Sequence, residues 1–161
     1  EVLTPDFSGN QQAINKIVAA SPHVFANNVE TTRRLTPVVR DPRATYEQSL
    51  QVLSYFKQQA PQRFTKSSIM LGVGETKEEV LEAMRDLLNV GVSFLTLGQY
   101  LQPSKNHLPL KEYVLPQYFD ALAMEGKKMG FRFVAAGPLV RSSYKAGEFY
   151  IRNVIEEQTG Y

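Results

Sequence analysis

Short apolar runs alternate along this chain with stretches whose apolar residues recur at helical spacing. Val2–Leu3 reads as the end of a strand. Over 11–20, Ala13, Ile14, Ile17 and Val18 share one helical face, and Pro22 lies just beyond. "HVFANNVE" supplies a strand over 24–26 that runs into Asn27, Asn28 and Glu30. After a polar segment from 31 to 44, Thr45 and Gln48 have capping-box spacing, and Leu50, Leu53 and Phe56 line a helix that Pro61 closes. "SSIML" reads as a buried strand ending in "GVGET". Thr76 and Glu79 repeat the capping spacing ahead of a stripe of Val80, Leu81, Met84, Leu87 and Leu88, and Gly91 suits that helix's C-terminus. "VSFLTLGQYLQP" is a further buried strand. Pro116 opens a helix that runs to Met129 and stops at Gly130, "FRFVAAGPLV" is the last strand, and a terminal helix is expected over 148–157. Strands alternating with helices predict an α/β protein with a parallel sheet.

The polar residues are not scattered. Residues 27–30, 72–76, 98–100 and 141–144 all fall at C-terminal ends of predicted strands, the edge where barrels and open α/β sheets bind ligands. Composition narrows the chemistry. The 161 residues are 43% hydrophobic and 21% charged, which is ordinary for a globular domain with a real core. A net charge of +2 argues for neither nucleic acid nor an anionic membrane as partner, and no apolar run reaches membrane-spanning length. The chain has no cysteine, which excludes disulfides and thiolate metal sites within it; two histidines alone make no metal site. It begins at Glu1 in "EVLTPDF", and the expectation is a piece of a longer protein.

Taken singly, the motifs stay open. "GVGET" reads either as a plain strand-to-helix turn or as a loop where Gly72 and Gly74 let backbone approach a ligand, with Glu75 as anchor. It is not a Walker A loop, lacking the Gly-Lys-Ser/Thr ending. In "NNVET", Asn28 and Glu30 are two apart and share a face in extended geometry, which suits a ribose diol or an amino group. The arginines between 33 and 43 form either a solvated face or, near a strand end, a carboxylate clamp. "RSSY" (141–144) fits a surface turn as readily as a reactive centre. His107 reads as a loop residue.

In combination, "FANNVETTRRL", "VRDPRATYEQSL", "KSSIMLGVGET", "LTLGQYLQPSKNHLP" and "GPLVRSSYKAGEF" resemble the lipoyl synthases, radical S-adenosylmethionine enzymes, over essentially the whole chain. "RDPRA" with "RSSYKAGEF" looks most like the mitochondrial, eukaryotic-type members. The resemblance implies the C-terminal part of a partial (βα) TIM-type barrel over residues 1–136, and an extension over 137–161 carrying the RSSY motif. It implies S-adenosylmethionine and two 4Fe–4S clusters as cofactors. One cluster cleaves S-adenosylmethionine to a radical that attacks an octanoyl chain; the second cluster is consumed as the source of two sulfur atoms. Octanoylated lipoyl carrier domains (the glycine cleavage H protein and dehydrogenase acyltransferase subunits) would be the substrates, and an electron donor such as ferredoxin a partner. The compartment would be the mitochondrial matrix, or the cytoplasm of a bacterium.

Carried over position by position, the resemblance gives Asn28 and Glu30 to the ribose and amino-acid part of S-adenosylmethionine, and Arg40 or Arg43 to its carboxylate. Met70, Leu71, Gly72, Gly74 and Glu75 would form the adenine-side motif, which Gln99, Tyr100 and Leu101 complete. Arg141 would steady the reactive region. Ser143, with Ser142 as the alternative, would ligate the auxiliary cluster through its hydroxyl, a ligand more easily lost than the usual thiolate. Two departures stand out. Asn27 replaces the histidine usual before "NVET", and both cysteine triplets of the family are missing, so this segment is expected to be inactive alone. The competing readings are another sulfur-inserting radical enzyme of biotin-synthase type, which lacks the RSSY tail, and a cluster-free α/β binding module.

Overall fold

A buried parallel strand needs nonpolar or paired side chains at every position, and β3 shows the pattern. The computed structural model describes residues 1–142. Strands β1 (Val2–Leu3), β2 (Val24–Ala26), β3 (Phe64–Leu71), β4 (Phe94–Gln99) and β5 (Phe133–Gly137) form one sheet in that spatial order, every pairing parallel. Between them run helices α1 (Gln11–Ala20), α2 (Thr36–Val39), α3 (Tyr46–Gln59), α4 (Lys77–Asn89) and α5 (Pro116–Met129). Helix α5 has the bounds its proline and glycine predict. Helix α2 lies inside the segment read as polar; four residues with a proline in the second position carry too short a stripe to register in sequence. The helix expected over 148–157 lies outside the described residues.

The caps show how local chemistry sets the ends. Thr76 and Glu79 complete a reciprocal capping box at α4. At α3 only half of the expected box forms. Thr45 accepts from the Gln48 amide, but the Gln48 side chain turns away to Asp6 and the Arg43 carbonyl.

Alternation along the strands separates two faces. Phe25, Ile69, Leu71, Leu95, Leu97 and Val134 pack with Ile14 of α1, Leu53 and Phe56 of α3, Met84 and Leu87 of α4, and Phe119 and Leu122 of α5. The other set, Val24, Phe64, Phe94 and Phe133, forms a separate apolar plug at the N-terminal ends of the strands. Helices α1, α3, α4 and α5 therefore gather on a single face. Sequential strand order with one helical layer is the winding of a (βα) barrel, and differs from doubly wound sheets, whose order reverses. Among the described residues β1 and β5 remain the sheet edges, so they form an open five-stranded sheet, consistent with a partial barrel; a closed TIM-type barrel is not formed. No helix of the described residues is long and apolar enough to cross a membrane.

The helix-side core centres on Phe56, stacked on Phe25 with ring centroids 4.2 Å apart and planes 8° from parallel. Truncation there leaves a cavity that neighbours on two elements cannot close. Phe56→Ala is expected to cost about 3–5 kcal/mol in urea denaturation. Met124→Ala, at a 61% exposed position, should stay within about 0.5 kcal/mol of the parent.

Candidate functional site at the C-terminal strand ends

Just beyond β2 the parallel ladder takes up one extra residue. The Asn27 amide donates to Lys66 O (3.1 Å), and two residues on along β3 the acceptor Ser68 O is met by Glu30, not Val29 (3.0 Å). The skipped Val29 amide is satisfied by the Ser67 hydroxyl at 3.2 Å. This is a bulge, and it sets Glu30 at φ 66°, a left-handed conformation rarely taken by a glutamate and costly outside functional sites. Asn28 and Glu30 do meet, through Asn28 Nδ2 donating to Glu30 Oε1 at 3.1 Å, but a bent backbone brings them together, not the extended one assumed from spacing.

The bulge leaves a particular set of atoms unpaired. Asn27 Nδ2 donates to Thr4 O (3.1 Å), and Asn28 Nδ2 is committed to Glu30. The amide oxygens of both asparagines are buried with no hydrogen-bond partner among the described residues, as are the hydroxyls of Thr31 and Thr32. A buried acceptor without a donor is costly, so this corner is built to take hydroxyl or ammonium donors. A pocket of about 570 Å³ lies against it, lined by both asparagines, Glu30, Asp6, Arg40 and Arg43 among others. Burial pushes the Glu30 carboxyl above the usual carboxylate range; the Asn28 amide and the Arg40 charge counter it in part.

The two arginines are held differently. Arg40 is nearly buried, donating to Ser49 Oγ (2.7 Å) and to Asp6 Oδ2 (3.3 Å); Asp6 also accepts from Ser49 (2.9 Å) and Gln48 (3.3 Å). Arg43 is exposed and grips Asp41 of its own loop with two nitrogens, at 2.8 and 3.0 Å, holding that carboxyl down at about 2. Arg33 and Arg34 are surface ties outside the pocket, to Glu47 and Asp86 and to Glu79 and the Gly74 carbonyl.

In the glycine loop both Glu75 oxygens are engaged by backbone, Oε1 by the Gly72 amide (2.6 Å) and Oε2 by Val73 (3.0 Å). Glu75 braces the loop from within. Gly72 has φ +100°, and a Cβ there would stand 2.5 Å from the Glu112 carbonyl, so no other residue fits. Gln99 donates to Leu71 O and Glu112 O, each at 3.1 Å, and accepts from the Val114 amide at 2.9 Å, joining the β3 and β4 ends to the following loop. Tyr100 is buried and donates to Leu108 O (2.8 Å). Met70, Val73, Tyr100 and Leu35 make an apolar patch beside the loop. The Leu71 side chain lies on the helix side, while Leu101 and Gly74 are exposed. His107 is a loop residue against Ser104.

No family model matches the chain. The lipoyl synthase of Anaeromyxobacter dehalogenans is 58% identical over 159 residues, 99% of this chain and 54% of that relative. A mitochondrial lipoyl synthase of Branchiostoma floridae is 56% identical over 98% of the chain and 42% of its own length. An apicoplast lipoyl synthase of Plasmodium knowlesi is 54% identical over 99% of the chain and 36% of its own length. The chain is similar to lipoyl synthases of bacteria and eukaryotes alike. It spans about half the length, or less, of these curated relatives and matches their C-terminal part.

Against those relatives, the described residues divide clearly. The corner at Asn27, Asn28 and Glu30 presents acceptors of the kind that hydroxyl and ammonium groups satisfy. A ligand set for a cubane cluster is not present among the described residues. The chain has no cysteine, and no group of three histidine, aspartate or glutamate side chains comes together among the described residues. Arg141 is described, its guanidinium donating to Val140 O (2.9 Å) and Gln99 O (3.4 Å). Ser142 is described; Ser143 and Tyr144 lie outside the described residues. Sequence reasoning named Arg40 only as a carboxylate candidate and gave Lys66 no role, because the partners that define them, Asp6 and Glu1, lie far away in the chain.

The raised Glu30 carboxyl has a signed consequence. Between the ordinary carboxylate pKa and the raised one, the folded chain retains a proton that the unfolded chain has lost, so stability falls as pH rises through that window. Glu30→Gln removes this slope. Without ligand it is expected to raise Tm at pH 7 by about 1–4 °C, on the scale of one kcal/mol for a domain of this size. Thermal melts between pH 4 and 8 check it, and an unchanged slope would overturn it.

Proposed function

We propose that the protein acts in lipoyl synthesis, inserting two sulfur atoms into the octanoyl group of a lipoyl carrier domain at the expense of S-adenosylmethionine. The observation that carries this reading is the pair of buried, donor-less amide oxygens of Asn27 and Asn28 beside Glu30. They stand at the strand ends of a chain 58% identical to a lipoyl synthase. On this reading residues 1–136 are the barrel portion and 137–161 an extension. Asn28 and Glu30 receive the ribose hydroxyls and amino group, and Arg40 or Arg43 the carboxylate. Met70 and Tyr100 supply apolar contact to the adenine; Gly72 and Gly74 keep side chains out of its way. Glu75, Gln99, Leu71 and Leu101 hold or border that edge. Arg141 orients the reactive region, and the Ser143 hydroxyl, or that of Ser142, is the oxygen ligand of the auxiliary cluster. S-adenosylmethionine and the clusters supply the radical and the sulfur; this chain's residues bind, orient and exclude water. The substrates would be octanoylated H protein or acyltransferase lipoyl domains, with a ferredoxin-type reductant. The compartment would be the mitochondrial matrix or, in a bacterium, the cytoplasm.

The test uses protein that includes the cysteine triplets this chain lacks, supplied with S-adenosylmethionine, reductant and octanoylated H protein, with deoxyadenosine and lipoyl product counted separately by mass spectrometry. Lipoyl product from the parent is expected, and deoxyadenosine without any lipoyl product would defeat the proposal. Asn28→Ala should raise the KM for S-adenosylmethionine about tenfold, the loss of one or two hydrogen bonds. Ser143→Ala should keep deoxyadenosine formation and lose lipoyl product; an undiminished lipoyl yield would remove Ser143 from its role.

A further inference from the structure

Lys66 is the one lysine that the described strands bury, with 7% of its side chain exposed, and none of the roles above uses it. It sits on β3 between Phe64 and Ser68, on the face away from the helices, and pairs in register with Ala26 and Phe94. A buried ammonium needs a counter-charge and an acceptor for each of its three N–H bonds. All three are present. Lys66 Nζ donates to Glu1 Oε1 (2.8 Å), to Glu1 Oε2 (3.0 Å) and to the backbone carbonyl of Ser142. Glu1 immediately precedes β1 and Ser142 follows β5, so one side chain ties together the two ends of the sheet.

Two further contacts show how the chain after β5 runs. A Cβ at Gly98 of β4 would come within 2.3 Å of the Val140 carbonyl, so the segment lies directly on β4 where that strand has no side chain. One residue on, Arg141 reaches the Gln99 carbonyl. The path from Gly137 through Val140 at β4 to Ser142 at β3 crosses the strands over their helix-free face. It is a strap, and the carbonyl that Lys66 holds belongs to the peptide joining Ser142 to Ser143.

We propose that Lys66 is a positioning residue for the RSSY motif: its ammonium, neutralised by Glu1, pins residues 138–142 across the open face and sets the approach of Arg141 and the serines to the reaction. The consequence for catalysis rests on the functional reading above; the tether itself does not. Methionine would match the shape of the stem but not the charge or the hydrogen bond to the Ser142 carbonyl.

The experiment compares parent, Lys66→Met and Glu1→Gln in protein that includes the cysteine triplets. Amide hydrogen exchange is read over 138–142 and over α3 and α4, and the ratio of lipoyl product to deoxyadenosine is measured alongside. Lys66→Met is expected to speed exchange over 138–142 about tenfold, as befits loss of a charged hydrogen bond, while α3 and α4 keep their protection. The product ratio should fall by about the same factor. Unchanged exchange over 138–142 would overturn the tether. Equal acceleration everywhere would make Lys66 a general stabiliser and overturn it as well. Should Lys66→Met not fold, Glu1→Gln decides: faster exchange confined to 138–142 supports the proposal, and parent-like exchange ends it. A parent that makes no lipoyl product refutes the functional reading, and exchange still judges the tether.

Discussion

Among the described residues, helices α1, α3, α4 and α5 pack on one side of five parallel strands, and the face they leave constrains the rest of the molecule. At the N-terminal ends of the strands the problem is solved by filling. Val24, Phe64, Phe94 and Phe133 close the floor with apolar volume. Further along, the same face carries Lys66, Ser68, Thr96 and Gly98, and there filling gives way to polar pairing and to the strap that crosses at Gly98. The change from apolar to polar along one face divides a structural floor from a chemical mouth, and it puts every candidate residue at the C-terminal ends of the strands, where helix-opening loops add backbone donors.

That mouth is kept at a cost in stability. Glu30 holds a left-handed backbone conformation with its carboxyl largely buried, and two amide oxygens beside it have no donor. Each would be improved, for stability alone, by an apolar or neutral residue. Their concentration at one bulge, with the helix-side core so well packed, is the strain on which the proposed site rests.

Much of this was legible in sequence where a local rule suffices. Pro116 and Gly130 bounded α5, Thr76 and Glu79 announced a complete capping box, and the apolar stripes named the helix-side core. The clustering of polar residues at strand ends located the edge. What stayed hidden depends on partners far apart in the chain. The bulge at Val29 exists because Ser67, thirty-eight residues on, takes its amide. Glu75 and Gln99 look like ligand contacts in a motif, yet their polar atoms are engaged by loop and strand backbone. Gln48 has the right spacing for a capping box, but buried Asp6 offers its amide a competing partner. No periodicity encodes such choices.

The two arginines offered for a carboxylate illustrate how context decides between equal sequence candidates. Arg40 is half spent: Asp6 neutralises it, Ser49 takes one nitrogen, and the group is nearly buried. Moving it would strand the Asp6 carboxylate, 5% exposed, without its cation, an expensive change. It serves a ligand best where it stands, as fixed positive potential beside Glu30. Arg43 is held only by an exposed pair with Asp41, and such pairs contribute little. A ligand carboxylate can replace Asp41 at almost no cost, in the same two-pronged geometry. The two pairings therefore differ in kind: Arg40 is a fixed, nearly buried charge beside Glu30, and Arg43 is an exposed one held only by its own loop.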